Sequence, residues 1–385
     1  MTGAPLNVVH LGKWYTPVAG GIETVTAALA RDRVRRGDRI TVVAFGSETR
    51  EEAVEGVRVL RCSTPLTVAS QPLSVAYLLR AHKAIRDADI VHLHWPNFVA
   101  ALAVVLCRDR TAPIVVHWHA DVSGRPLLAA ATRWLERAVV RRASRVLATS
   151  QAYLEASEAL RGIVGSPRAG VVPIGLPDVT VRAQPLPSLP TTILAVGRLV
   201  KYKGFERLLA AMPLLPDVQL RLVGVGPLDG ALRRAAKQLD VSDRVAFLGS
   251  LDASALTREF CSASLLCLPS STRAEAFGVV LVESMRLGLP VVACRIAGSG
   301  VPWVVGEDIA GVLADASDAK SLACAIQKVL KDPGTRDAFG ARARARYELL
   351  FTEQRMLDRV DRFYVSLLDR ARGQLPVQMM KSQGD

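Results

Sequence analysis

The sequence predicts an α/β fold built from two doubly wound, Rossmann-like halves. Three observations lead there. Short apolar runs alternate with stretches of helical period along most of the chain, and the runs end in Gly-rich or charged loops, as strands of a parallel sheet do when they feed crossover helices. The pattern restarts at residue 191, after a Pro-rich stretch at 184–190 (Q-P-L-P-S-L-P) that reads as a linker. At 385 residues the chain is too long for one ordinary core, and two domains of roughly 180 residues are the default.

The first half opens with an apolar strand at 6–11, a loop ending in Gly20-Gly21, and a helix over 23–36. Paired glycines let the backbone approach a ligand, and helix N–H groups then face an anion; a plain strand-to-helix turn fits the same residues. Strands follow at 39–45 and 57–62, a helix at 76–86, and strands at 89–94 and 114–119. Asp87-Ala-Asp89 has the D-x-D form some transferases use to hold a cation. It precedes its strand, at the end away from the ligand crevice of a parallel sheet, and is read as structural. His92, His94, His117 and His119 gather at two strand ends. No Cys or acidic partner has ligand spacing, with Asp121 the only nearby carboxylate, so they are expected to be satisfied strand-end histidines and no metal site is expected. His119, last on its strand, is the one expected to reach a ligand. A helix over 127–145 carries Arg133, Arg137 and Arg141 on one face, with Arg142 and Arg145 beside them and Leu128, Trp134, Leu135 and Val139 as apolar bulk. Such a helix suits anionic lipid, and equally a solvated face. Strands at 145–150 and 169–174 end this half.

The second half begins with a strand at 191–196, then G-R-L-V-K-Y-K-G at 197–204 and a helix over 205–212. Arg198, Lys201 and Lys203 beside a helix start make a phosphate-binding arrangement. A strand at 218–223 runs into G-V-G-P and a helix over 229–239, but the third glycine, Gly230, is one residue late for a dinucleotide fingerprint. After a strand at 245–248, residues 265–271 form a strand ending in a turn, followed by R-A-E-A-F-G-V-V-L-V-E at 273–283. Glu275 falls in the loop, Gly278 at the helix start, and Glu283 about two helical turns on. This suits a ligand with hydroxyls at both ends and phosphate in the middle. A strand at 290–294, helices at 319–330 and 336–347, and a last helix over 352–372 complete the pattern. The last helix is expected to bury Met356, Val360, Phe363, Tyr364, Leu367 and Leu368.

The net charge of +13 favours phosphorylated ligands, anionic membrane or nucleic acid. Aromatics are only 5%, with no basic–aromatic interleaving, which argues against nucleic acid. The six cysteines form no C-x-x-C and read as reduced, buried hydrophobes. The N-terminus lacks a signal-peptide pattern, and the longest apolar run, 98–107, is far short of the ~20 residues of a spanning helix. A cytoplasmic location, peripheral on the inner face of the membrane, is expected. No nucleophile elbow, P-loop or H-E-x-x-H occurs.

Six segments together resemble the retaining, GT-B-fold glycosyltransferases of family 4 (glycosyl transferases group 1): W-Y-T-P-V-A-G-G-I-E-T-V (14–25), V-H-W-H-A-D-V (116–122), V-G-R-L-V-K-Y-K-G-F-E (196–206), L-V-G-V-G-P-L (222–228), E-A-F-G-V-V-L-V-E (275–283) and S-G-V-P-W-V (299–304). The resemblance covers nearly the whole chain. It implies an acceptor-binding domain at 1–183, the linker at 184–190, a nucleotide-sugar-binding domain at 191–350 facing it across a cleft, a helix at 351–372 crossing back toward the first domain, and a disordered tail at 373–385. It implies that Arg198 and Lys203 bind the donor diphosphate, Glu283 the ribose, and Glu275 hydroxyls of the moving sugar. Gly20, Gly21, Gly226, Phe277, Gly278 and Val279 would line the donor, and His119 would touch the sugar near its anomeric carbon. The reaction would need no metal and no cofactor. The donor is expected to be GDP-mannose, with UDP-glucose or a UDP-N-acetylhexosamine open, and the acceptor a polyprenyl-diphosphate-linked saccharide in surface polysaccharide assembly. An anionic membrane surface would meet Arg133, Arg137 and Arg141. An inactive binding subunit would be expected to lack Glu275, Arg198 or Lys203, and all are present; an epimerase of this fold would need an acid/base set that the sequence does not show.

Overall fold

The computed structural model describes residues 5–18, 20–68, 71–107, 112–122, 126–179, 181 and 191–371. The expected linker at 184–190 and tail at 373–385 lie outside them. The chain divides into two compact units, Met1–Pro173 with Gln354–Asp385, and Ile174–Glu353.

The first unit runs β1 (Asn7–Leu11), α1 (Gly21–Arg35), β2 (Arg39–Gly46), β3 (Arg50–Val54), β4 (Val57–Ser63), β5 (Leu66–Val68), β6 (Gln71–Leu73), α2 (Val75–Arg86), β7 (Ile90–Trp95), α3 (Phe98–Leu106), β8 (Ile114–Trp118), α4 (Pro126–Arg142), β9 (Arg145–Ala148), α5 (Gln151–Ala156) and β10 (Ala169–Val171). Its sheet has the order β10-β9-β8-β7-β1-β2-β4-β3. All pairs are parallel except β3 with β4. The central strands are buried on both faces, which is why they read as unbroken apolar runs. The order reverses between β1 and β7, and the loops after these two strands are pinned together. Asn97 Nδ2 and the Tyr77 hydroxyl both donate to the Gly12 carbonyl, at 2.7 and 2.8 Å.

The second unit runs β11 (Thr192–Val196), α6 (Phe205–Ala211), β12 (Gln219–Val223), α7 (Asp229–Gln238), β13 (Val245–Gly249), α8 (Ala253–Ser262), β14 (Leu265–Leu268), α9 (Val279–Arg286), β15 (Val291–Arg295), α10 (Val301–Val305), β16 (Gly311–Asp315), α11 (Ala319–Leu330) and α12 (Pro333–Leu350). Its sheet, β13-β12-β11-β14-β15-β16, is wholly parallel and reverses between β11 and β14. Ile193, Phe205, Leu222, Leu265 and Val292 are among its core residues. This unit starts at Ile174, ahead of the expected boundary at 183, because residues 174–178 are held to its end. Leu176 N donates to Phe351 O at 2.9 Å, and Arg344 grips Asp178 with two bonds of 2.6 and 2.7 Å.

The last helix, α13 (Glu353–Ala371), belongs mostly to the first unit. Met356, Val360, Tyr364 and Leu367 are buried, while Phe363 and Leu368 are half-buried. Arg33 on α1 bonds Asp361 at 2.6 Å and lies over the Tyr364 ring. Among the described residues, no helix is long and apolar enough to cross a membrane. The cysteines are free: Cys62, Cys107, Cys267 and Cys294 are buried, Cys261 is half-buried and Cys324 is exposed.

Candidate active site

In open α/β sheets, ligands bind beyond the C-terminal ends of the strands where the strand order reverses. In the second unit that place is the pair of loops after β11 and β14. A tight turn, Lys201–Lys203, follows β11 and ends at Gly204 in the left-handed region, φ 69°. Gly204 is required there twice over, because a Cβ would also lie 2.1 Å from the Pro269 carbonyl at the end of β14. The close approach of the two loops brings Lys203 to Glu275. Lys203 Nζ lies 2.6 Å from Glu275 Oε2, and the Ser270 hydroxyl donates to the same oxygen at 2.8 Å. The Ser299 hydroxyl holds the Glu275 carbonyl at 2.5 Å. Burial works against the Lys203 ammonium, but the Glu275 carboxylate, with Tyr202 and Glu283, outweighs it and raises the Lys203 pKa.

Phe277 is a packing residue. It is 3% exposed and lies against Trp303 and, edge-on, against Phe351. Gly278 follows at φ 79° and starts α9, which has no side-chain cap. The first N–H groups of an α-helix have no i−4 partner within it; in α9 Leu281 N is taken by Gly278 O at 2.9 Å, which leaves those of Val279 and Val280 for an anion. Glu283, on α9, is half-buried, and burial pushes its carboxyl above the ordinary range despite Arg286 and Lys203. Arg198 is exposed, two residues past the end of β11. Gly226 has a structural reason for being glycine: a Cβ there would lie 2.5 Å from the Leu199 carbonyl, in the segment just after β11.

In the first unit, Gly20 and Gly21 do stand at the start of α1. The anion at this helix start is the chain's own Glu23, whose Oε2 would lie 2.1 Å from a Cβ on Gly20. A carboxylate three residues into a helix that reaches back to its start is the acidic half of a capping box. Burial raises the Glu23 pKa, against backbone N–H bonds and Lys13. Glu23, Ser270 and Ser299 escaped the sequence reading; the E of G-G-I-E, three residues after the first of its glycines, was the available signal for Glu23.

His119 lies just past β8 and is 5% exposed. Its Nε2 is 3.1 Å from His94 Nδ1, and its rings stack with His117 and His94. The strand-end histidines are only partly satisfied: His117 has no hydrogen-bond partner on either nitrogen among the described residues. Burial keeps these rings neutral, with His10 and His117 lowered to about 3. Asp89 is structural, accepting from Asn7 N at 2.8 Å.

Arg133, Arg137 and Arg141 are exposed on α4, while Leu135 and Val139 face inward. Leu128 lies outside the residues with described side chains. Trp134, expected among the apolar bulk, is instead 57% exposed beside the arginines. The helix stops at Arg142, which donates to Cys107 O at 2.6 Å, and Arg145 is a buried residue opening β9. Neither belongs to the basic face.

Residues 180–346 match the family model of the glycosyl transferases group 1, and residues 20–177 that of the glycosyl transferase 4-like domain. The chain is 30% identical over 377 residues to the O-antigen chain mannosyltransferase C of Escherichia coli, covering 94% of this chain and 99% of that protein. It is 29% identical over 343 residues to the phosphatidyl-myo-inositol mannosyltransferase of Mycolicibacterium smegmatis, covering 86% of each. In fold it is similar to the sucrose-phosphate synthase of Thermosynechococcus elongatus, with a TM-score of 0.79 at 21% identity over 95% of this chain and 100% of that one.

Proposed function

This chain belongs to the glycosyl transferases group 1, with the GT-B fold, and we propose that it moves mannose from GDP-mannose, with retention, onto a lipid-linked saccharide in bacterial surface polysaccharide assembly. The observation that carries this reading is the end-to-end similarity to an O-antigen chain mannosyltransferase. The Lys203–Glu275 pair at the β11/β14 reversal supports it, because it sets a cation and a hydroxyl acceptor side by side where a nucleotide sugar needs both.

In this reading Arg198 and Lys203 hold the donor diphosphate and stabilise its charge as the sugar leaves, the role a metal plays in other transferases. The free N–H groups of Gly278 and Val279 meet a phosphate oxygen. Glu275 accepts hydrogen bonds from sugar hydroxyls, and Glu283 from the ribose. Gly226 and Phe277 shape the loops that hold the donor. The leaving phosphate takes the proton of the attacking acceptor hydroxyl on the same face, so the protein's share is positioning and fixed charge. The acceptor is a polyprenyl-diphosphate-linked saccharide, and α4 lays Arg133, Arg137 and Arg141 on the anionic inner face of the membrane.

A thermal-shift screen of GDP-mannose, UDP-glucose and UDP-N-acetylglucosamine, followed by turnover on a lipid-linked acceptor, tests the proposal. A shift with GDP-mannose and transfer of mannose unaffected by EDTA are expected. A shift with a UDP-sugar alone overturns the donor, and no shift with any of the three overturns the transferase site. Glu275→Ala should abolish transfer while GDP still binds; unchanged turnover removes Glu275 from the site.

A further inference from the structure

Five of the chain's six histidines lie on one face of the first unit's sheet. Parallel pairing sets His10 on β1 beside His92 on β7, and His94 on β7 beside His117 on β8. Side chains two apart on a strand share a face, so His119 follows His117. The rings stack, with centroids 4.7 Å apart for His92 and His94 and 4.3 Å for His117 and His119. None is more than 5% exposed.

Among the described residues, their side-chain hydrogen bonds run to one another and to one tyrosine. His119 Nε2 meets His94 Nδ1 at 3.1 Å, His94 Nε2 meets His10 Nδ1 at 3.1 Å, and His92 Nδ1 meets the Tyr364 hydroxyl of α13 at 2.6 Å. Among the described residues, His10 Nε2, His92 Nε2, His119 Nδ1 and both nitrogens of His117 have no partner. A buried polar atom left unpaired is destabilising, and buried polar groups are otherwise nearly always paired. Such atoms gathered in one patch point to a ligand that takes them up.

Three of the residues converge. One nitrogen each from His92, His94 and His117 lies within 4.8 Å of the others. A zinc ion bound tetrahedrally to imidazoles holds their nitrogens about 3.3 Å apart, which small ring rotations reach. His92 is already prepared. When its Nδ1–H donates to the tyrosine oxygen, the unpaired Nε2 carries the lone pair, which is the arrangement that orients metal-bound histidines. Whichever nitrogen of His94 ligates, the other keeps a neighbouring ring. Neutral imidazoles without carboxylate select a first-row transition ion over Mg²⁺ or Ca²⁺.

We propose that His92, His94 and His117 form a buried site for a divalent transition-metal ion, with Tyr364 as the residue that orients His92. The ion would tie β7 and β8 to α13. The site lies within the first unit and does not rest on the transferase reading.

The test uses the full chain without a polyhistidine tag, stripped with EDTA and dialysed against Zn²⁺ or Co²⁺. One equivalent of metal by mass spectrometry, ligand-field absorption with Co²⁺ and a raised melting temperature are expected. His117→Phe should lose all three. Tyr364→Phe should bind about 10- to 100-fold more weakly, and His82→Gln, on α2 outside the stack, should bind as the parent does. Failure of the parent to take up stoichiometric metal, or equal uptake by His117→Phe, overturns the site. If His117→Phe does not fold, X-ray absorption of the zinc-loaded parent decides: several imidazoles in the first shell are expected, and a shell lacking them refutes the proposal.

Discussion

Replacing Lys203 with Met separates the two jobs of the Lys203–Glu275 pair. The side chains are 12% and 10% exposed, and the bond between them is 2.6 Å. The variant leaves the Glu275 carboxylate accepting from the Ser270 hydroxyl at 2.8 Å. Removing one member of a buried ion pair costs about 3–5 kcal/mol, because the other stays buried and charged. For a unit of this size that is on the order of 10 °C in melting temperature. Lys203→Met combined with Glu275→Gln removes both charges at once. The amide can still accept from Ser270, so the double variant should recover at least half of the lost stability, about 2 kcal/mol. Differential scanning calorimetry of the parent, both single variants and the double closes the cycle. If Lys203→Met melts with the parent, or the double melts no higher than Lys203→Met, the pair does not hold the two loops together.

Gly204→Ala should destabilise the same loops by roughly 2 kcal/mol or more, since φ is 69° and the new Cβ would lie 2.1 Å from the Pro269 carbonyl; guanidinium unfolding measures it. Arg133, Arg137 and Arg141 replaced by Gln should release the protein from phosphatidylglycerol vesicles in a sedimentation assay, with the fold unchanged; binding like the parent's would make the basic face merely solvated. Burial, with Asp121 nearby, raises Glu136 to about 7. A carboxyl raised in the folded state contributes stability that is present at acid pH and lost as pH rises through that value. Glu136→Gln should therefore show a smaller fall in melting temperature between pH 5 and about pH 7 than the parent.

Much of the fold was legible because its strands are buried on both faces and announce themselves as apolar runs. Four strands escaped, the short β5 and β6, β16, and β3, R-E-E-A-V, whose charges hide it. It is an edge strand, held partly by ion pairs of 2.6 Å from Arg58 to Glu51 and 2.8 Å from Arg61 to Glu52. The sequence pattern carries the helix through Arg145 because arginines recur across the true end, and periodicity alone does not separate Arg141, in water, from Arg145, inside. Lys203 and Glu275 could each be picked from local pattern. That they touch depends on β11 lying beside β14, a pairing of residues far apart in sequence. The same holds for the histidines. Four were visible as strand-end residues, but the fifth, His10, and the tyrosine from α13 join them through sheet register and the return of the last helix.

Charge arithmetic at the donor loops assigns different work to the two cations. Lys203 and Glu275 nearly cancel as a unit. The uncompensated positive charge after β11 comes instead from Arg198 and Lys201, both exposed. Removing Lys203 alone therefore turns the pair into a net negative group facing the diphosphate, whereas removing both charges restores neutrality. GDP affinity should fall in Lys203→Met and largely return in the double variant, even though transfer stays lost without the Glu275 carboxylate. Arg198→Gln should behave in the opposite way. No buried partner is left stranded, so its melting temperature should match the parent's. The lost charged hydrogen bond, about 1.5–3 kcal/mol, should weaken GDP binding roughly 10- to 100-fold. Isothermal titration of GDP beside thermal melts of all four proteins separates these patterns. GDP binding by Arg198→Gln at parental affinity, or a melting temperature as low as that of Lys203→Met, would show that Arg198 is not the residue that attracts the diphosphate.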